Sequence, residues 1–214
     1  MRESEIRREI ARVLLDVGAV SIDVEHPFRY ASGILSPIYC DNRLLISFPR
    51  ERRQIVSWLA DRLEAELGRE GVDVVAGTAT AGIPYAAWLS ERLDLPMVYV
   101  RAAAKEHGRG QRVEGRLSAG QRVVVVEDLV TTGGSSISTA DGVEEAGGKV
   151  VGCLAIFSYE LPRAAEAFGA RGIPLFPLTG LSTLLEVAAE SGRVSPERLE
   201  EVRDGIRRAF APSL

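Results

Sequence analysis

Two carboxylates stand side by side at Glu127 and Asp128, and just downstream lie Thr131, Thr132, Gly133, Gly134, Ser135 and Ser136. Small and hydroxyl residues at that density let backbone N–H groups converge on an anion. A helix opening near Ser135 would aim its partly positive N-terminus at the same point. The chemistry this describes is phosphate binding. The acids cannot hold the phosphate themselves, because like charges repel; they suit hydroxyl groups, or the neighbourhood of a hydrated metal. Phosphate beside vicinal hydroxyls makes a sugar phosphate the expected ligand. No Gly-Lys-Ser/Thr is present in the turn, so it is not a Walker loop.

A second set of residues is cationic. From Arg101 to Arg116 the chain has almost no apolar residues but carries Arg101, Lys105, His107, Arg109 and Arg112, with Gly108, Gly110 and Gly115 among them. A structureless stretch of that length, one strand before a phosphate cradle, is expected to be a lid. A diphosphate leaves readily only if its growing charge meets fixed cations, which Arg101 and Lys105 can supply, while His107 can donate a hydrogen bond or a proton. The small-residue turn Gly77 to Ile83 offers backbone amides for a further anionic group. His26, before Pro27, has no such surroundings and is expected to be structural.

Those groups need a frame. Val123 to Val126 are too short a run for a helix and too uniformly apolar for a half-wet strand, which predicts a buried parallel strand with the acid pair at its carboxyl end. In open α/β sheets that end is where ligands bind. Strands are also predicted at 72–77, 95–101, 150–157 and 173–178. Helices are predicted at about 84–93 and at 162–168, giving a doubly wound, mostly parallel α/β sheet flanked by helices. Ile6, Ile10, Val13, Leu14 and Val17 form an N-terminal helix stripe that Gly18 can end. Pro49 opens another helix, with its stripe at Ile55, Leu59, Leu63 and Leu67. Between Ser21 and Ser47 periodicity is lost, as in a loop with short extended segments. Two helices close the chain, the second signalled by Ser195 as cap, Pro196 and Glu197.

With 214 residues, 46% hydrophobic and 26% charged, the chain is expected to be a single domain, with an N-terminal hood over about 1–48, a core over about 71–180 and C-terminal helices over about 181–214. A net charge of -4 argues against a nucleic-acid partner, and two cysteines are too few for a disulfide framework or structural zinc. The charged N-terminus and the lack of a membrane-length apolar run fit a cytoplasmic location with no membrane partner.

The string Arg122 to Ser136 resembles the phosphoribosyl pyrophosphate (PRPP) motif of the type I phosphoribosyltransferases. Together with FRYASGILSPIYCDNR and the Arg101 to Gly108 loop it is similar to orotate phosphoribosyltransferase, over Phe28 through Ser136. That resemblance implies the type I phosphoribosyltransferase fold. It implies PRPP and Mg2+ bound at Glu127, Asp128, Leu129, Val130, Thr131, Thr132, Gly133, Gly134 and Ser135, with the metal held mainly by PRPP and water. Arg101, Lys105 and His107 would close over pyrophosphate, making Lys105, His107 and Asp128 the catalytic candidates. It further implies a homodimer that shares the Arg101 to Arg116 loop across its interface. Orotate would lie against Tyr39, Cys40 and Thr131, with Ser32, Gly33, Ser36 and Pro37 shaping the hood.

The chain departs from some members of that family at Ala31 and Ala102, where they have lysines, and at Tyr159, the nearest match to an arginine. A carboxylated pyrimidine needs a cation or several donors, and backbone amides, Thr131 and Arg43 are left as candidates. Two other functions share part of this pattern: transfer to a different base, and a non-catalytic PRPP-sensing regulator.

Overall fold

The structure, a computed structural model, describes residues 2–30, 33–102 and 112–210. Helix α1 (Glu3–Asp16) buries Ile10, Val13 and Leu14, and Gly18 follows it at φ +73°. Next come four short strands, β1 (Val20–Ile22), β2 (Phe28–Arg29), β3 (Leu35–Ser36) and β4 (Ile38–Cys40). They form two antiparallel pairs, β1 with β4 and β2 with β3. A 3-10 segment, Asn42–Ser47, leads to α2 (Pro49–Leu67), whose Ile55, Leu59 and Leu63 are buried as its stripe predicts.

The remaining strands and helices alternate except at β6, β7 and β8, which follow one another: β5 (Val74–Thr78), α3 (Gly82–Leu93), β6 (Met97–Val100), β7 (Val113–Glu114), β8 (Arg122–Val130), α4 (Gly134–Glu145), β9 (Lys149–Ser158), α5 (Pro162–Ala170) and β10 (Leu175–Gly180). Their sheet has the order β10-β9-β8-β5-β6-β7 and is parallel except where β7 returns against β6. The four valines sit at its centre for a simple reason. Val124 and Val126 pack towards α2 and α3, while Val123 and Val125 belong to the clusters that α4 and α5 cover. A strand covered on both faces must be apolar on both.

Helices α6 (Leu181–Glu190) and α7 (Leu199–Ala209) end the described chain. Helix α7 packs on the hood so closely that a Cβ at Gly205 would lie 2.7 Å from Pro37 Cγ.

Three expectations are corrected. Strand β8 does not stop before the acid pair; it runs on to Val130, because β9 continues to pair with it through Val130↔Ser158. The Arg101 to Arg116 stretch is not wholly irregular: Val113, packed against the cluster that holds Val98 and Val100, forms β7 with Glu114. Ser195 precedes a 3-10 turn, Pro196–Arg198, with no side-chain capping bond, and α7 starts at Leu199.

Candidate active site

Strand order fixes where a ligand can sit. From β5 the chain runs through α3 to β6 on one side; from β8 it runs through α4 to β9 on the other. The two helices leave on opposite faces, and a crevice opens between the carboxyl ends of β5 and β8. Pairing between these strands ends at Gly77↔Val126, so Glu127 to Val130 extend past β5 into that crevice. The turn after β5 stays close to β8 because a glycine starts α3: a Cβ at Gly82 would lie 2.4 Å from the Val126 carbonyl oxygen.

Glu127 is 4% exposed and Asp128 9%. Glu127 Oε2 accepts hydrogen bonds from Ser135 Oγ (3.0 Å) and Ser136 Oγ (3.2 Å), and its Oε1 accepts from the Asp128 N–H (3.2 Å). Burial, and after it the neighbouring Asp128 charge, push the Glu127 carboxyl up to about 8. Burial raises Asp128 as well. Two desolvated acids side by side resist ionisation, and hydroxyl donors or a cation would relieve them. All their donors are hard oxygens, which suits Mg2+. Among the described residues no group of three or more His, Cys, Asp or Glu could hold a metal, so a Mg2+ at this site would need further oxygens from its ligand or from water.

Gly133, at φ +83°, turns the chain into α4, whose first N–H groups have no intrahelical partner. Thr131 and Thr132 are half-buried between strand and helix. Thr131, Thr132, Gly133, Gly134 and Ser135 therefore lie at the same crevice as the acids.

The ends of the cationic stretch are clamped together. The Arg101 N–H donates to the Arg112 carbonyl (2.9 Å), Arg112 Nε donates back to the Arg101 carbonyl (3.1 Å), and Arg112 Nη2 donates to Ser138 Oγ on α4 (2.7 Å). Arg101 Nη1 lies 3.8 Å from Glu114. Lys105, His107 and Arg109 lie outside the described residues, as does Ser32.

On the hood side, Tyr39 is half-buried and stacks within a row of aromatic rings, 5.9 Å from Phe28 and 5.6 Å from Tyr30. The Cys40 thiol is buried and raised well above the usual range by desolvation. Gly33 adopts φ +86°, and Ser36 Oγ accepts from the Ile38 N–H at 3.3 Å. Arg43 is engaged by Asp41, to which Nε (2.6 Å) and Nη2 (2.8 Å) both donate. Tyr159 supplies no positive charge. Its buried hydroxyl meets that of Tyr30 at 2.9 Å, and Tyr30 in turn donates to the Ile38 carbonyl at 2.9 Å. His26 is exposed beside Asp23, its ring nitrogen 3.5 Å from the carboxylate, rather than built into the core.

Asn42 escaped the sequence analysis. It is wholly buried, its Nδ2 donates to the Asp128 carbonyl at 2.6 Å, its Oδ1 accepts from Cys40 Sγ at 3.4 Å, and its carbonyl accepts from the Tyr85 hydroxyl at 2.7 Å. It joins the hood to the acid pair. An asparagine in a polar turn carries no periodic signal, so only the folded chain reveals it.

Residues 48–167 match the phosphoribosyl transferase domain family. Fold and site together define a phosphoribosyltransferase. The orotate phosphoribosyltransferase of Listeria monocytogenes serotype 4b (strain F2365) is 50% identical over 199 residues, covering 93% of this chain and 94% of that protein. The crystal structure of orotate phosphoribosyltransferase from Aeropyrum pernix matches with a TM-score of 0.75 at 33% identity, over 87% of this chain and 99% of that one. That of the Mycobacterium tuberculosis H37Rv enzyme in complex with PRPP matches with a TM-score of 0.64 at 27% identity, over 83% and 98% of the two chains. The chain belongs to the orotate phosphoribosyltransferase family, whose members are pentosyltransferases.

Proposed function

We propose that this chain transfers the phosphoribosyl group of PRPP to N1 of orotate, giving orotidine 5'-monophosphate and pyrophosphate in pyrimidine nucleotide synthesis. The observation that carries the reading is the crevice between β5 and β8, where a buried acid pair, a helix N-terminus and a glycine-tightened turn meet. Glu127 and Asp128 accept hydrogen bonds from the ribose hydroxyls. The amides from Thr131 to Ser135 hold the 5'-phosphate, and the Thr78 to Gly82 turn takes one end of the diphosphate.

As the N1–C1 bond forms, the C1–O bond to diphosphate breaks, its electron pair leaves with the diphosphate, and the N1 proton of orotate passes to a departing diphosphate oxygen. Arg101 and Lys105 meet that charge and His107 donates to the departing oxygens. Mg2+, if bound beside Glu127 and Asp128, would neutralise part of the ligand's negative charge. The lid excludes water, so that orotate and not solvent captures C1. Orotate lies under the hood, against Tyr39, Cys40, Ser32 and Thr131.

The working form is a homodimer whose Arg101 to Arg116 loop serves the neighbouring subunit's site, in the cytoplasm, with neither nucleic acid nor membrane as partner. No described helix is long and apolar enough to cross a membrane.

The test is to mix the chain with PRPP, Mg2+ and orotate and follow the loss of orotate absorbance, running uracil, hypoxanthine and adenine in parallel. Turnover with orotate alone is expected, and Lys105→Ala should lower kcat by about 10²- to 10³-fold, the usual cost of one preorganised transition-state contact. Turnover with another base would keep the PRPP site and overturn the base; none with any base would favour a PRPP-sensing regulator.

A further inference from the structure

Strand β8 outruns β5 by the residues that carry the acid pair, since pairing stops at Gly77↔Val126. Beyond that point the Asp128 carbonyl needs a donor that β5 does not supply, because a buried carbonyl left without one is costly. Asn42 Nδ2 supplies it at 2.6 Å, from a residue two positions beyond the end of the Ile38–Cys40 strand. Nothing in this contact is adjustable by solvent, since Asn42 is 0% exposed. Two more of its polar atoms are engaged: Oδ1 accepts from Cys40 Sγ on the hood, and the carbonyl accepts from Tyr85 on α3, the helix that follows the Thr78 to Gly82 turn. One side chain and its own backbone thus tie together three pieces, expected to hold the base, the ribose and the diphosphate.

We propose that Asn42 is a positioning residue for the transfer, setting the hood, and the base beneath it, at the right separation from the acid pair that holds the ribose. The proposal rests on the orotate transfer proposed above. Asn42 touches no substrate; it acts through Asp128 and Cys40. Its bonds run between elements, to Cys40, Asp128 and Tyr85, so their loss falls on the relative placement of those elements. A misplacement of about 1 Å costs up to roughly 100-fold in rate.

The experiment is steady-state kinetics at 25 °C, with thermal melts on each variant. Asn42→Ala should lower kcat roughly 10- to 100-fold while the KM values for PRPP and orotate stay within about threefold. Asn42→Asp distinguishes positioning from packing. Ionised, it sets a charge against the Asp128 carbonyl; protonated, it donates an O–H where the amide N–H stood. The charged and titratable groups around it are Cys40 and Asp41 on the strand side, Arg43 on its own turn, Tyr85 on α3, and Glu127 and Asp128 on β8.

Asn42→Asp should therefore lower kcat more at high pH, where it is ionised, than at low pH, where it regains a donor, whereas the Asn42→Ala ratio stays flat. A kcat within about twofold of wild type in Asn42→Ala overturns the proposal. If neither variant folds, Tyr85→Phe decides: it frees the Asn42 carbonyl and should lower kcat in the same pattern, and unchanged kinetics would sink the idea. A wild-type chain inactive with orotate fails the reaction itself; an active wild type with no effect at Asn42 and Tyr85 fails only this role.

Discussion

Glu127 carries its carboxyl into a site with little water and beside a second acid, and its stability consequence has a definite sign. An unfolded glutamate ionises near 4.5, whereas in the fold burial holds the group up to about 8. The folded state therefore keeps a proton that the unfolded state loses, and the ligand-free chain is destabilised progressively as pH rises through that interval. Glu127→Gln keeps an acceptor for Ser135 and Ser136 but cannot ionise. It should melt close to wild type at pH 4.5 and above it at pH 8.5, while losing turnover; equal melting temperatures at pH 8.5 would refute desolvation of the carboxylate as the cause. The acid pair was legible in the sequence because residue type and position after an apolar run already imply chemistry. Asn42 was not, because its partner Asp128 is 86 residues away and the need it meets arises only when β5 ends short of β8.

Elements were legible where one physical pattern dominated. The valine run, the stripe of α2 and the proline at its first turn each permit one structure. Ends were less so: the pattern of apolar residues breaks at Glu127, yet β9 goes on pairing through Val130, and a two-residue strand such as β7 is too short to show a period. Ser195, Pro196 and Glu197 carry a helix-start signal that the chain spends on a 3-10 turn. The junction of β5, α3 and β8 makes a further prediction. Gly82→Ala drives a methyl group towards the Val126 carbonyl oxygen, 2.4 Å from the ideal position, and that neighbour is backbone rather than a yielding side chain. The change should cost about 1–3 kcal/mol of unfolding free energy in urea titrations and weaken PRPP binding, since the turn must retreat from the crevice. An unchanged midpoint would show that α3 can shift freely.

At the scale of the molecule, the proposed exchange of the Arg101 to Arg116 loop between subunits can be tested by making each chain deficient in a different part. Lys105→Ala lacks the lid cation and Asp128→Asn lacks the ribose acid, so each homodimer should be nearly silent. Refolded together in equal amounts, half the dimers are mixed, and in each of these one site is complete if the loop crosses over. About one quarter of wild-type activity should return, and no recovery would place the loop over its own subunit's site. The chain's two cysteines, Cys40 and Cys153, have a practical consequence of a different kind. Both thiols are buried, and burial suppresses their ionisation, so the folded chain offers alkylating reagents little thiolate. A single cysteine introduced at exposed Arg116 becomes a selectively labelled handle without removing either native sulfur. A dye placed there, beside the Arg101–Arg112 clamp, should report ligand binding as an optical signal.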